Sequence, residues 1–88
     1  MLFEYSIEKN NWLKTNRGIS FETVITYVME NKIIDIINNP TRENQYMYIF
    51  KYEGLIHVCP FVISKEGIFL KSIFPNRKIA KLYEKEDT

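Results

Sequence analysis

Eighty-eight residues, 45% of them apolar and 15% aromatic, make one small domain with a single modest core and exclude a disordered chain. Twelve Lys and Arg against eleven Asp and Glu leave a net charge of +1, so no global positive field draws in a polyanion. One Cys and one His exclude a disulfide framework and a dedicated zinc cage. No run reaches the roughly 18 apolar residues of a membrane span. The opening Met-Leu-Phe-Glu-Tyr-Ser does not read as a signal peptide, and a cytoplasmic location is expected.

Leu2–Tyr5 is a short strand candidate. Ser6 caps a helix from Ile7 to about Asn16, stopped by Gly18 where a left-handed residue is wanted. A second helix starts at N-cap Ser20, with Ile19 and Val24 at staple positions. Phe21, Val24, Ile25 and Val28 form its apolar stripe, which fades after Met29. Trp12, beside Leu13, reads as a packing anchor.

Strand signals follow. Ile33–Ile37 is short and β-branched. Tyr46–Tyr52 alternates, and Glu53-Gly54 turns it into an antiparallel partner, Leu55–Ile63. Pro60 lacks an N–H and so demands a sheet edge or a bulge. Lys65-Glu66-Gly67 turns into a strand over Ile68–Phe74. Asn76 then caps a last helix, with Ile79, Leu82 and Tyr83 facing inward. The expected fold is α+β: two N-terminal helices on an antiparallel sheet of about four strands, with a short C-terminal helix.

The strand–turn–helix from Gly67 to Tyr83 carries the strongest functional signal. Residues 65–81 hold Lys65, Lys71, Arg77, Lys78 and Lys81 against Glu66 alone, whereas residues 18–64 hold three cations and five anions. Arg77 and Lys78 sit in a helix's first turn, where cations oppose the dipole and free amides favour an anion. A phosphate would satisfy both, which makes RNA the first partner to consider. Lys9, Lys14, Arg17, Lys78, Lys81 and Tyr83 are the RNA-binding candidates.

Lys71, Arg77 and His57 are the catalytic candidates. An imidazole moves protons near neutral pH, but His57 shares strand parity with Leu55, Cys59 and Phe61, which also suits a half-buried structural role. Tyr46, Tyr48 and Tyr52 are base-stacking candidates, though core- or partner-facing aromatics are the more common reading of such a row. No carboxylate cluster, phosphate loop or nucleophile elbow is present, so no metal and no cofactor are expected. A nuclease built from these residues would use the RNA 2′-OH as nucleophile, with cations stabilising the phosphate charge.

Four segments together resemble the BrnT-like toxins of bacterial type II toxin–antitoxin systems. They are Phe3-Glu4-Tyr5 with Glu8-Lys9-Asn10, the run Arg17-Gly18-Ile19-Ser20-Phe21-Glu22, Val58-Cys59-Pro60-Phe61-Val62, and Phe69-Leu70-Lys71-Ser72-Ile73-Phe74-Pro75-Asn76-Arg77-Lys78. The resemblance spans nearly the whole chain. It implies a RelE-like domain acting as a ribonuclease that inhibits translation. It also implies neutralisation by a cognate ribbon-helix-helix antitoxin, which alone contacts the operator DNA. Better-known members carry an Arg-Ile-Ile-Ser-Ala-Arg type motif. Here Lys71 stands at its first position and the second cation is spaced out to Arg77, and lysine offers a point charge where arginine offers a two-pronged clamp. Two other readings follow from the same residues: a catalytically inactive RelE-like module acting through a protein partner, and a non-catalytic RNA-binding domain.

Overall fold

A computed structural model of the chain describes residues 2–84. Strand β1 (Phe3–Tyr5) leads into helices α1 (Ile7–Arg17) and α2 (Phe21–Met29). Strands β2 (Asp35–Asn38), β3 (Gln45–Tyr52), β4 (Leu55–Ser64), β5 (Gly67–Leu70) and β6 (Phe74–Pro75) follow, and helix α3 (Arg77–Glu84) comes last.

The helix boundaries follow from their caps. Ser6 Oγ accepts from the Lys9 N–H at 3.1 Å, and Gly18 ends α1 with φ +66°. Ser20 Oγ accepts from Thr23 N–H at 3.3 Å at the start of α2. Buried Asn10 then ties the two helices together. Its Oδ1 accepts from the Phe21 N–H at 2.7 Å while its Nδ2 donates to the Glu22 carboxylate. One side chain of α1 thus satisfies an amide that α2 cannot satisfy itself.

The sheet order is β1-β5-β4-β3-β2, with β6 also paired to β4. It is larger than the expected four-stranded antiparallel sheet, and mixed. Phe3 lies opposite Ile68 in a parallel pairing, while the other pairings are antiparallel. Parallel neighbours need a long connection between them, and everything from α1 to β4 supplies it. Glu53 and Gly54 both take positive φ, 51° and 81°, the two-residue turn that suits a twisted hairpin.

The expected continuous strand Ile68–Phe74 is broken, and Pro60 explains why. Pro60 lies within the central strand β4. Its carbonyl accepts from the Lys71 N–H at 2.8 Å, but it has no N–H to return. The β5 pairing stops there and resumes with Phe74 opposite Val58. Two residues, Ser72 and Ile73, stand against Cys59 in between, so the partner chain carries the bulge that Pro60 requires.

The extra residue switches faces. Leu70 and Ile73 bury on the face that holds Leu13, Ile19, Phe21, Val24, Tyr48, Phe50 and Phe61. Phe74 joins the other face, where Met47, Ile49, Ile56 and Val58 pack against Ile79, Ala80 and Tyr83 of α3. The sheet is therefore sandwiched, α1 and α2 on one side and α3 on the other. Leu82, expected inward, is 67% exposed, because Ala80 takes its place in the stripe.

Replacing Asn10 by Ala strands the Phe21 amide, and we expect a loss of about 2 kcal/mol in urea denaturation. The Glu22 carboxyl is held below its usual range chiefly by the Asn10 hydrogen bond, with the Lys14 charge adding to it. A depressed carboxyl pKa stabilises above the ordinary carboxylate range and loses that effect as pH falls through the lowered value. The stability gap between wild type and Glu22→Gln is therefore expected to close in acid.

Candidate functional site

Three parts of the chain meet at the β3–β4 hairpin end. His57 of β4 is 7% exposed, its ring lying near Phe50 at 5.8 Å and edge-on to Tyr52 at 5.7 Å. Its Nδ1 is 2.9 Å from the Leu55 carbonyl oxygen. A carbonyl only accepts, so Nδ1 is the donor, and when the ring is neutral its lone pair lies on Nε2.

Arg17 reaches the same place from the end of α1. Its Nη1 donates to the Ile73 carbonyl at 2.6 Å, across 56 residues of sequence. That bond reaches the bulged segment between β5 and β6, and it leaves the rest of the guanidinium fork available. Arg17, His57, Tyr52, Glu53, Leu55 and Pro75 line one cavity of about 330 Å³. Tyr52 Oη donates to the Gly18 carbonyl at 3.3 Å, and burial pushes its phenol pKa up, favouring the neutral hydroxyl.

A second cavity, of about 450 Å³, shares Leu55 and Pro75 as its rim and is lined by Asn76, Arg77, Ala80 and Lys81. Asn76 Oδ1 caps α3 by accepting from Ile79 N–H at 3.1 Å. Arg77 and Lys78 are exposed in a first turn that holds no acidic residue. The cationic helix start is thus real, and it lies next to the His57 cavity with only that rim between them.

The catalytic candidates are divided. Lys71 stands beyond the end of β5, opposite Pro60, with its ammonium 5.7 Å from the Phe69 ring. Its strand parity is that of the face opposite His57. Lys71 lies beside Pro60 in the middle of β4, whereas Arg77 follows β6, which pairs with His57 and Val58 near the hairpin end. Arg77 approaches the His57 region, and Lys71 does not.

The other candidates sort by their partners. Lys81 lines the Arg77 cavity. Lys14 Nζ is 3.5 Å from the Glu22 carboxylate, an exposed pair contributing at most about 1 kcal/mol. Tyr83 Oη donates to Asp35 Oδ2 at 2.8 Å, which commits it to bridging α3 and β2. Tyr48 is buried and stacked on Phe61 with centroids 4.1 Å apart, and Tyr46 stacks on the same ring at 5.7 Å. Tyr48 is core, Tyr46 packs partly buried against it, and Tyr52 lines the His57 cavity.

Trp12 departs from the sequence reading in the other direction. It is 44% exposed, with Lys9 Nζ 4.6 Å and the Arg17 guanidinium 4.9 Å from the ring centroid. Leu13 fills the core position instead. Tyr52, expected as a base-stacking candidate or a core aromatic, lines the His57 cavity, and Glu53, which lines it too, was not among the sequence candidates.

Among the described residues no group of three or more His, Cys, Asp or Glu side chains could hold a metal ion, and no helix is long and apolar enough to cross a membrane. No protein-family model, curated protein or solved structure matches the chain. Cys59 is fully buried, and burial pushes its thiol far above the ordinary range. A thiol reagent is therefore expected to leave the native protein unlabelled at neutral pH and to label it on unfolding, as read by mass spectrometry.

Proposed function

We propose that this chain is a metal-independent endoribonuclease, the toxin half of a bacterial toxin–antitoxin pair, with its chemistry centred on His57 and Arg17. The observation that carries the reading is the shared cavity: His57 and Arg17 line one space. Its volume falls at the lower end of the range of small-ligand sites. The likeness to BrnT-like toxins in the four segments named above supports the same conclusion.

In this reading Nε2 of His57 takes the proton from the RNA 2′-OH. The 2′-oxygen bonds to the adjacent phosphorus as the bond to the 5′-oxygen breaks, and the leaving oxygen gains a proton from Tyr52 or water. Arg17 stabilises the charge that grows on the phosphate, and Arg77 and Lys81 hold the neighbouring backbone phosphate across the Leu55–Pro75 rim. The products are a 2′,3′-cyclic phosphate and a 5′-hydroxyl. Lys71, on the other face, contributes no chemistry.

Purified protein is expected to cleave single-stranded RNA in the presence of EDTA to those termini, and its expression to arrest growth. Arg17→Ala and the isosteric His57→Gln each lower the rate by about 100-fold or more, and Lys71→Ala keeps most of it. Folded wild type that leaves RNA and growth untouched, or His57→Gln cleaving at the wild-type rate, refutes the enzyme.

One observation favours a second reading, a module that acts through a protein partner. A cleft of about 840 Å³ beside β2 is lined mainly by apolar side chains, among them Val28, Ile34, Ile36 and Ile63, and the three isoleucines are about half exposed. Exposed apolar patches of this kind mark protein interfaces. The antitoxin belongs to both readings, and only the nuclease assay separates them.

A further inference from the structure

We infer that Trp12 is a stacking platform for an unpaired base of single-stranded RNA, with Lys9 and Arg17 taking the phosphates beside it. This deepens the nuclease reading and rests on RNA being the ligand. The chain has a single tryptophan, and helix α1 turns it outward while burying Asn10 and Leu13 on the opposite side. The backbone beneath it is pinned, since Asn16 Nδ2 donates to the Trp12 carbonyl at 2.9 Å.

The chemistry of the patch selects its occupant. An exposed indole face with two cations within 5 Å of its centroid suits a partner that is flat and aromatic yet carries negative charge close by. A nucleotide offers both in one unit, and a base in a duplex does not, because its faces are already stacked. A base entering over the ring displaces a cation that then has a phosphate to bind, so the cation contacts are exchanged. Any base has a π-face, so the platform adds affinity with little sequence preference.

Arg17 makes the patch continuous with the site. The guanidinium that lies 4.9 Å from the Trp12 ring also lines the His57 cavity. A strand with its scissile phosphate beside His57 therefore passes Arg17 on its way to Trp12. On the other side the Leu55–Pro75 rim leads to Arg77 and Lys81. The order Trp12, Arg17, His57, Arg77 defines a track across the molecule.

Because the emission of tryptophan comes from Trp12 alone, it reports stacking directly. The test titrates the protein with 2′-O-methylated single-stranded RNA, which cannot be cleaved. We expect the emission to be quenched on binding, an abasic strand with as many phosphates to bind without quenching, and Trp12→Ala to raise Kd about tenfold. Trp12→Phe, which keeps a ring, recovers part of that loss. RNA bound with unchanged emission, or the same Kd for Trp12→Ala, overturns the platform alone. Quenching by the methylated strand together with intact unmodified RNA supports the platform while removing the nuclease. Failure to bind any RNA overturns both.

Discussion

One missing backbone donor organises much of this molecule. Pro60 sits in the central strand with a ladder partner on each side. The hydrogen bond it cannot make falls where the sheet passes from β5 to β6. The partner chain answers with an extra residue, and that residue moves the chain from one face of the sheet to the other. Ile73 is left under α1 and α2, while Phe74 and the helix after it close the opposite face. Without this switch, α3 would emerge on the wrong side to cover Met47, Ile49, Ile56 and Val58.

The same switch sets the layout of the charges. Lys71 pairs with Pro60 ahead of the bulge and lies near the Phe69 ring, while the chain beyond the bulge takes Arg77 to the hairpin end of β4. The bulge also exposes the Ile73 carbonyl to Arg17, and that bond joins the first helix to the far end of the chain. The cluster of Arg17, Tyr52 and His57 is in this sense a product of the break.

What the sequence made legible was local. Ser6, Gly18, Ser20 and Asn76 act through side chains or backbone angles at their own positions, and all four terminate helices as their residue types dictate. The alternation of β3 gave both faces of the sheet, since Tyr48 and Phe50 bury against α1 and α2 while Met47 and Ile49 bury against α3. What escaped depended on neighbours distant in sequence. The parallel partner of β1, the position of the bulge opposite Cys59 and the exposure of Trp12 are decided by which surfaces other elements cover. For the site this meant that the residue types were visible and their grouping was not: Arg77 and His57 end on adjoining cavities, Lys71 ends elsewhere, and Tyr52, expected to stack a base or fill the core, lies beside His57.

The parallel seam between β1 and β5 has a consequence in time. Phe3 must wait for Ile68, and Arg17 for Ile73, before either is fixed. Gly67 keeps its positive φ, and lacks a Cβ, where the Leu2 carbonyl comes closest. During synthesis the first strand and the helices leave the ribosome well ahead of their partners, at rates of roughly 5–20 residues per second. A nascent chain that has reached β3 has the caps of α1 and α2 and about half of one apolar face, yet neither the closed edge nor the anchored guanidinium. Contacts so distant in sequence make folding slow relative to a chain of local contacts. The Arg17–His57 cavity can therefore close only after Pro75, which lines it, has been made.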